Sequence, residues 1–137
     1  MTTTYSGKVS VARSSHGNGS EAGPNDGQFT VTLSAASSTA TTVTYTLGGS
    51  STEGSDYATI ATKSATIAAG STTAVIDIDV TDDPLVEATE TVIVTLTGVT
   101  GDADITLNAA QKSASLDIAD NDSAQVSVAK SAGGDGS

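Results

Sequence analysis

In two stretches of the chain apolar residues recur at every second position. Ala74, Ile76, Ile78 and Val80 alternate with Val75, Asp77 and Asp79, and Val92, Val94 and Leu96 alternate with Ile93, Thr95 and Thr97. Successive side chains of a strand point to opposite faces, so each stretch predicts a half-buried strand. On that basis Thr72 to Val80 is the fifth strand and Thr89 to Thr97 the sixth. Weaker patterns predict five more. Lys8 to Ala12 turns Val9 and Val11 one way, and Gln28 to Ser34 does the same with Phe29, Val31 and Leu33. Thr42 to Leu47 presents Val43, Tyr45 and Leu47. Lys63 to Ile67 is a short fourth strand, and Lys112 to Ile118 is the seventh, with Ala114, Leu116 and Ile118 inward. Gly, Ser, Asn and Pro fill the connections, and no segment holds a helical period. The prediction is an all-β domain, a seven-stranded antiparallel immunoglobulin-like β-sandwich. Abundant Thr and Val suit such a pleated surface.

The connection between the two strongest strands runs from Val80 to Glu90. Pro84 cannot donate to a ladder, which fits a loop. Asp82, Asp83, Glu87 and Glu90 place four carboxylates within nine residues, and the nearest bases in sequence are Lys63 and Lys112. Such a group repels itself unless a cation binds among it. An all-oxygen donor set selects a hard ion, which makes Ca2+ the expected cofactor.

Composition supports this picture. The 137 residues carry a formal charge of -11, with five Lys plus Arg against sixteen Asp plus Glu. Phosphate recognition needs basic residues, so a nucleic-acid partner is excluded. With no Cys there is neither a disulfide framework nor a thiolate metal site. No apolar run approaches the roughly 18 residues of a membrane span, and the start has no signal-peptide pattern. Met1 followed by Thr-Thr-Thr reads as the start of an excised fragment. The wealth of Thr, Ser, Ala, Gly and Asp points to an extracellular or cell-surface repeat protein.

An up-and-down weave of seven strands sends alternate connections to opposite poles. One pole receives Glu21 from the first loop and Asp56 from the third-to-fourth loop. The acidic stretch with Asp82, Asp83 and Glu87 joins them, as do Asp120 and Asp122 after the seventh strand. The other pole has chiefly Asp102 and Asp104, which lack the glycine and closing glutamate of an EF-hand loop. Two unit charges about 4 Å apart repel by roughly 4 kcal/mol at an effective dielectric of 20. A gathered set therefore calls for counter-ions. His16 lies in a Gly/Ser loop without acidic partners and reads as solvated. Asp77 and Asp79 read as a solvated face. Arg13, Lys63 and Lys112 read as ordinary strand-edge charges.

An internal repeat bears on the ends of the chain. Val126 to Ser137 aligns with Val9 to Ser20, and eight of the twelve positions are identical. The expected division is a linker over 1–7, the sandwich over 8–122, and a linker plus the first strand of a following copy over 123–137.

Gly54-Ser55-Asp56-Tyr57, Ile67 to Gly70, Asp82-Asp83 followed by Glu87 and Glu90, and Leu116-Asp117-Ile118-Ala119-Asp120-Asn121-Asp122 together resemble the Calx-β domain. The resemblance covers about Val9 to Asp122. It implies calcium ligands at Glu21, Asp56, Asp82, Asp83, Glu87, Asp120 and Asp122, with Glu90 behind them. Asn121 and Pro84 depart from the family's acidic runs, which puts an outer ion in doubt.

The function expected from the sequence is not enzymatic, since no nucleophile–base order or aromatic-lined cleft accompanies the acids. The expected role is a calcium-stabilised structural repeat of a large bacterial surface or secreted adhesin, monomeric as a fragment. Its partners would be neighbouring copies of the same domain, and Ca2+ at the shared pole would rigidify the array. The alternatives are a calcium-sensing regulatory domain and a carbohydrate- or surface-binding module.

Overall fold

The computed structural model describes residues 7–82 and 88–120. They form nine strands: β1 Gly7–Arg13, β2 Gly19–Ser20, β3 Gly27–Leu33, β4 Thr41–Gly48, β5 Ser64–Ile67, β6 Thr73–Ile78, β7 Glu90–Thr100, β8 Ile105–Leu107 and β9 Ser113–Ala119. Two sheets result, ordered β6-β3-β1-β8 and β2-β9-β7-β4-β5. Among the described residues there is no helix.

The core follows the alternation. Val9 and Val11 of β1, Phe29, Val31 and Leu33 of β3, and Ile76 and Ile78 of β6 are buried in one sheet. Val43 and Tyr45 of β4, Val92, Val94 and Leu96 of β7, and Leu116 and Ile118 of β9 face them from the other. Each such side chain, fully buried, contributes about 1.5–3 kcal/mol relative to exposure. Outward positions are mostly polar, many of them hydroxyls, with Val75 of β6 and Ile93 of β7 as exposed apolar exceptions. Thr44 and Thr97 are joined at 3.1 Å, and Thr42 and Thr66 at 3.3 Å.

Two features correct the sequence reading. The described residues form nine strands rather than seven, and the pairing is not wholly antiparallel. β2 pairs parallel to β9 through Gly19↔Ile118 and Ser20↔Ala119. β8 pairs parallel to β1 through Gly7↔Ile105, Lys8↔Thr106 and Val9↔Leu107. Both extra strands are too short to show an alternation. They lie in the connections between the first and second and between the sixth and seventh strands expected from the sequence. Ile105 nonetheless buries its side chain and closes the edge of its sheet. β7 also runs on to Thr100, absorbing a register shift opposite Thr44 and Tyr45.

The registers fix which connections share an end. β3 begins where β6 ends, Gly27 opposite Ile78, and β1 ends there too, Arg13 opposite Phe29. β4 ends beside the beginning of β7, Gly48 opposite Ile93. β9 ends beside that same beginning, Ile118 opposite Glu90. The segments 14–26, 49–63, 79–82 and 119–120 therefore lie at one pole. Asp102 and Asp104 lie at the other. There Asp102 closes a local turn, its Oδ1 accepting from the Asp104 amide at 2.8 Å.

Candidate metal centre

The turn around Asp56 is built by its own sequence. Gly54 has φ 93°, a conformation that suits glycine. Its amide donates to the Tyr57 carbonyl at 2.7 Å. The Asp56 amide donates to the Thr52 carbonyl at 2.8 Å, and Asp56 Oδ2 accepts from the Thr52 amide at 2.6 Å. These reciprocal bonds hold the carboxylate in place, and the residue is only 7% exposed.

This turn is hydrogen-bonded to the start of the acidic stretch. The Thr81 amide donates to the Asp56 carbonyl at 3.0 Å, and the Ala58 amide to the Asp79 carbonyl at 2.8 Å. Tyr57 and Val80 form the bridge between them. Asp82 follows directly and is exposed.

A second pair of segments meets across β2 and β9. The Glu21 amide donates to the Ala119 carbonyl at 2.9 Å, so Glu21 lies beside the step from Ala119 to Asp120. Glu21 is 4% exposed and Asp120 half-buried. The Asp117 amide donates to Asn18 Oδ1 at 2.9 Å and pins the same loop.

Val80 ties the two pairs together. Its amide donates to Asp26 Oδ1 at 3.1 Å, and a Cβ at Gly19 would sit 2.7 Å from Val80 Cγ2. Asp26 is a further acid of this pole. It lies in the same loop as Glu21, but the ligands expected from the sequence do not include it. Its signal was that shared loop.

Asp83, Glu87 and Asp122 lie outside the described residues. Among the described residues, no three acidic or imidazole side chains converge closely enough to hold an ion. The backbone thus brings the segments of Glu21, Asp56, Asp82 and Asp120 to one pole without by itself completing a shell. The donor chemistry fits a hard cation, since these side chains offer only oxygen. A charged group this deeply buried is ordinarily paired or coordinated to metal.

Basic residues differ from the sequence reading in one respect. Lys63 is more than a strand-edge charge, because its loop folds back over Glu53. Lys63 Nζ stands 3.0 Å from Glu53 Oε2 and also donates to the Ile60 carbonyl at 2.9 Å. Arg13 turns to Asn18 Oδ1 at 3.1 Å.

Glu53 accepts from the Ile60 amide at 2.9 Å. That bond, and then the Lys63 ammonium, hold its carboxyl below the usual range. A lowered folded-state pKa stabilises the fold above the unfolded value of about 4.3, and the contribution disappears as pH falls through the folded value. Glu53→Gln is therefore expected to flatten the acid limb of a stability–pH profile, by no more than about 1 kcal/mol for so exposed a pair. Urea unfolding between neutral and acid pH measures it. Burial raises the Tyr57 phenol above its ordinary value, and the charges of Glu53 and then Asp56 raise it further.

The described parts of this pole define an all-β sandwich whose acidic connections are hydrogen-bonded to one another. Compared with known proteins, the sequence matches no family model. No curated protein matches it. Solved structures share the fold. CBD12 from CALX1.2 superposes with TM-score 0.64 at 20% identity, covering 82% of this chain and 44% of that one. The apo form of the Calx CBD1 domain gives TM-score 0.60 at 20% identity, covering 84% and 99%. The calcium binding domain CBD12 of CALX1.1 gives 0.59 at 20%, covering 82% and 44%. This chain thus spans less than half of either CBD12 structure and nearly all of the CBD1 domain. Its fold is Calx-β-like.

Proposed function

We propose that this immunoglobulin-like sandwich is a non-enzymatic, calcium-binding structural module. It would be one repeat of an extracellular or surface adhesin whose neighbouring copies are held at a fixed angle by Ca2+. The observation that carries the reading is the linkage of the Glu21, Asp56, Asp82 and Asp120 segments through Val80, Thr81 and Ala119. Its likeness in fold to a calcium binding domain supports the same conclusion. Asp83, Glu87 and Asp122 complete the donor set on this reading. The sandwich supplies a rigid frame, and the ion would supply the positive charge that lets the acids stay together.

Calcium that binds the folded form alone stabilises it by RT ln(1 + [L]/Kd), about 1.4 kcal/mol per site at a tenfold excess over Kd. At the affinities of roughly 10⁻⁴–10⁻³ M typical of extracellular modules, this requires millimolar calcium. Thermal unfolding in several millimolar calcium is expected to rise by about 4–8 °C per site over the same protein in chelator. An unchanged midpoint contradicts structural calcium. Submicromolar affinity with a change of shape favours a sensing role instead.

A further inference from the structure

The fold reveals which of the first twenty residues must be what they are. Val9 and Val11 are buried between the sheets, and Gly17 and Gly19 are buried in the turn that follows. A Cβ at Gly17 would come within 2.5 Å of the Gln28 carbonyl oxygen, and one at Gly19 within 2.7 Å of Val80 Cγ2. Ser14 Oγ is bonded to Thr30 Oγ1 at 2.6 Å, and Ser20 pairs with both Asn25 and Ala119. Each of these six residues recurs at the end of the chain as Val126, Val128, Gly134, Gly136, Ser131 and Ser137.

The four positions that differ are Arg13, Ser15, His16 and Asn18, replaced by Lys130, Ala132, Gly133 and Asp135. All four are exposed in the fold. His16 has φ 58°, which glycine accepts more readily. A chance likeness between two polar strands would not sort its differences onto the surface.

We propose that residues 126–137 of one molecule fit the slot of residues 9–20 in a second copy of this chain, so that molecules join tail to head by strand exchange. The slot is an interior one: β1 lies between β3 and β8. Its occupant gains an antiparallel ladder from Val9↔Leu33 to Arg13↔Phe29 and, beside β8, the single step Val9↔Leu107. The occupant is a second copy because β9 ends at the pole where β1 also ends. Within its own molecule the tail would have to double back along the domain in residues 120–125 to enter in β1's direction. This inference stands apart from the calcium reading, since it uses only the packing of β1 and β2.

The full chain has no cysteine, which permits a direct test. Ala12 pairs with Thr30 in register, and Ala129 is the tail's equivalent of Ala12. The doubly substituted chain, Thr30→Cys with Ala129→Cys, is refolded from denaturant at high concentration and then oxidised. Expected are disulfide-linked dimers and longer ladders, with peptide mass spectrometry joining the two sites between molecules. Adding Val128→Asp, which places a charge at a buried position of the slot and leaves residues 9–20 intact, is expected to reduce the ladder several-fold. Monomers alone, bonds formed within one molecule, or a ladder indifferent to Val128→Asp would each overturn the proposal. Light scattering of the unsubstituted chain, refolded across a range of concentrations, reads the same exchange without thiols.

Discussion

Tyr57→Ala is expected to lower the unfolding free energy by about 3–5 kcal/mol, the usual range for truncating a buried aromatic. Tyr57 is 2% exposed and packs within the core. It is also the bridge residue for both Glu53 and Val80. Truncation therefore opens a cavity under the very turn that carries Asp56. Urea unfolding measures the loss. Because the Asp56 turn and the segment leading to Asp82 are held together there, calcium affinity is expected to fall along with stability. Tyr57→Phe, which keeps the ring, is expected to retain most of both.

Gly49→Ala has the second largest expected effect, about 3 kcal/mol or more, through the backbone. Gly49 has φ 103°, where a side chain is strained whatever the space around it. A Cβ there would also collide with the Thr91 carbonyl oxygen. That oxygen cannot move aside, for it accepts from the Ser51 amide at 3.0 Å and from Ser51 Oγ at 2.6 Å. The Thr91 amide in turn donates to Ser50 Oγ at 2.9 Å. Loop 49–51 thus clamps the start of β7, next to Glu90. Gly48→Ala is the matched control. A Cβ there meets nothing within 4 Å, and it is expected to cost well under 1 kcal/mol. Equal losses for the two substitutions would contradict the clamp.

Much of this fold was legible because its core strands are half-buried. In β3 and β9 the inward residues alternate with Gln, Thr, Ser and Asp, and in β6 and β7 the period of two survives although Val75 and Ile93 face outward. The weave of such strands then dictates which connections share a pole, and the registers agree with that assignment. β2 and β8 were not legible. Two or three residues cannot display a period, and their parallel pairing depends on partners distant in the chain. Asp26 was passed over because its role, accepting from the Val80 amide, is a contact between residues 54 positions apart. Lys63 was misread for a related reason. Only the folding back of its loop brings it to Glu53.

The candidate site was legible as a set of segments rather than as a coordination shell. Glu21 and Asp56 are polar in sequence and buried in the fold, which the pattern of neighbours did not announce. Glu21 is buried because β2 lays it against the end of β9. Asp56 is buried because Gly54 turns the chain back onto Thr52.

Calcium titration calorimetry of the full chain and of four single variants tests the central claim most directly. Glu21→Gln and Asp56→Asn alter the acidic pole, and Asp102→Asn and Asp104→Asn the opposite one. The account predicts saturable binding that weakens tenfold or more in the first two variants and is unchanged in the last two. Absence of binding, or equal weakening by variants at either end, would contradict it.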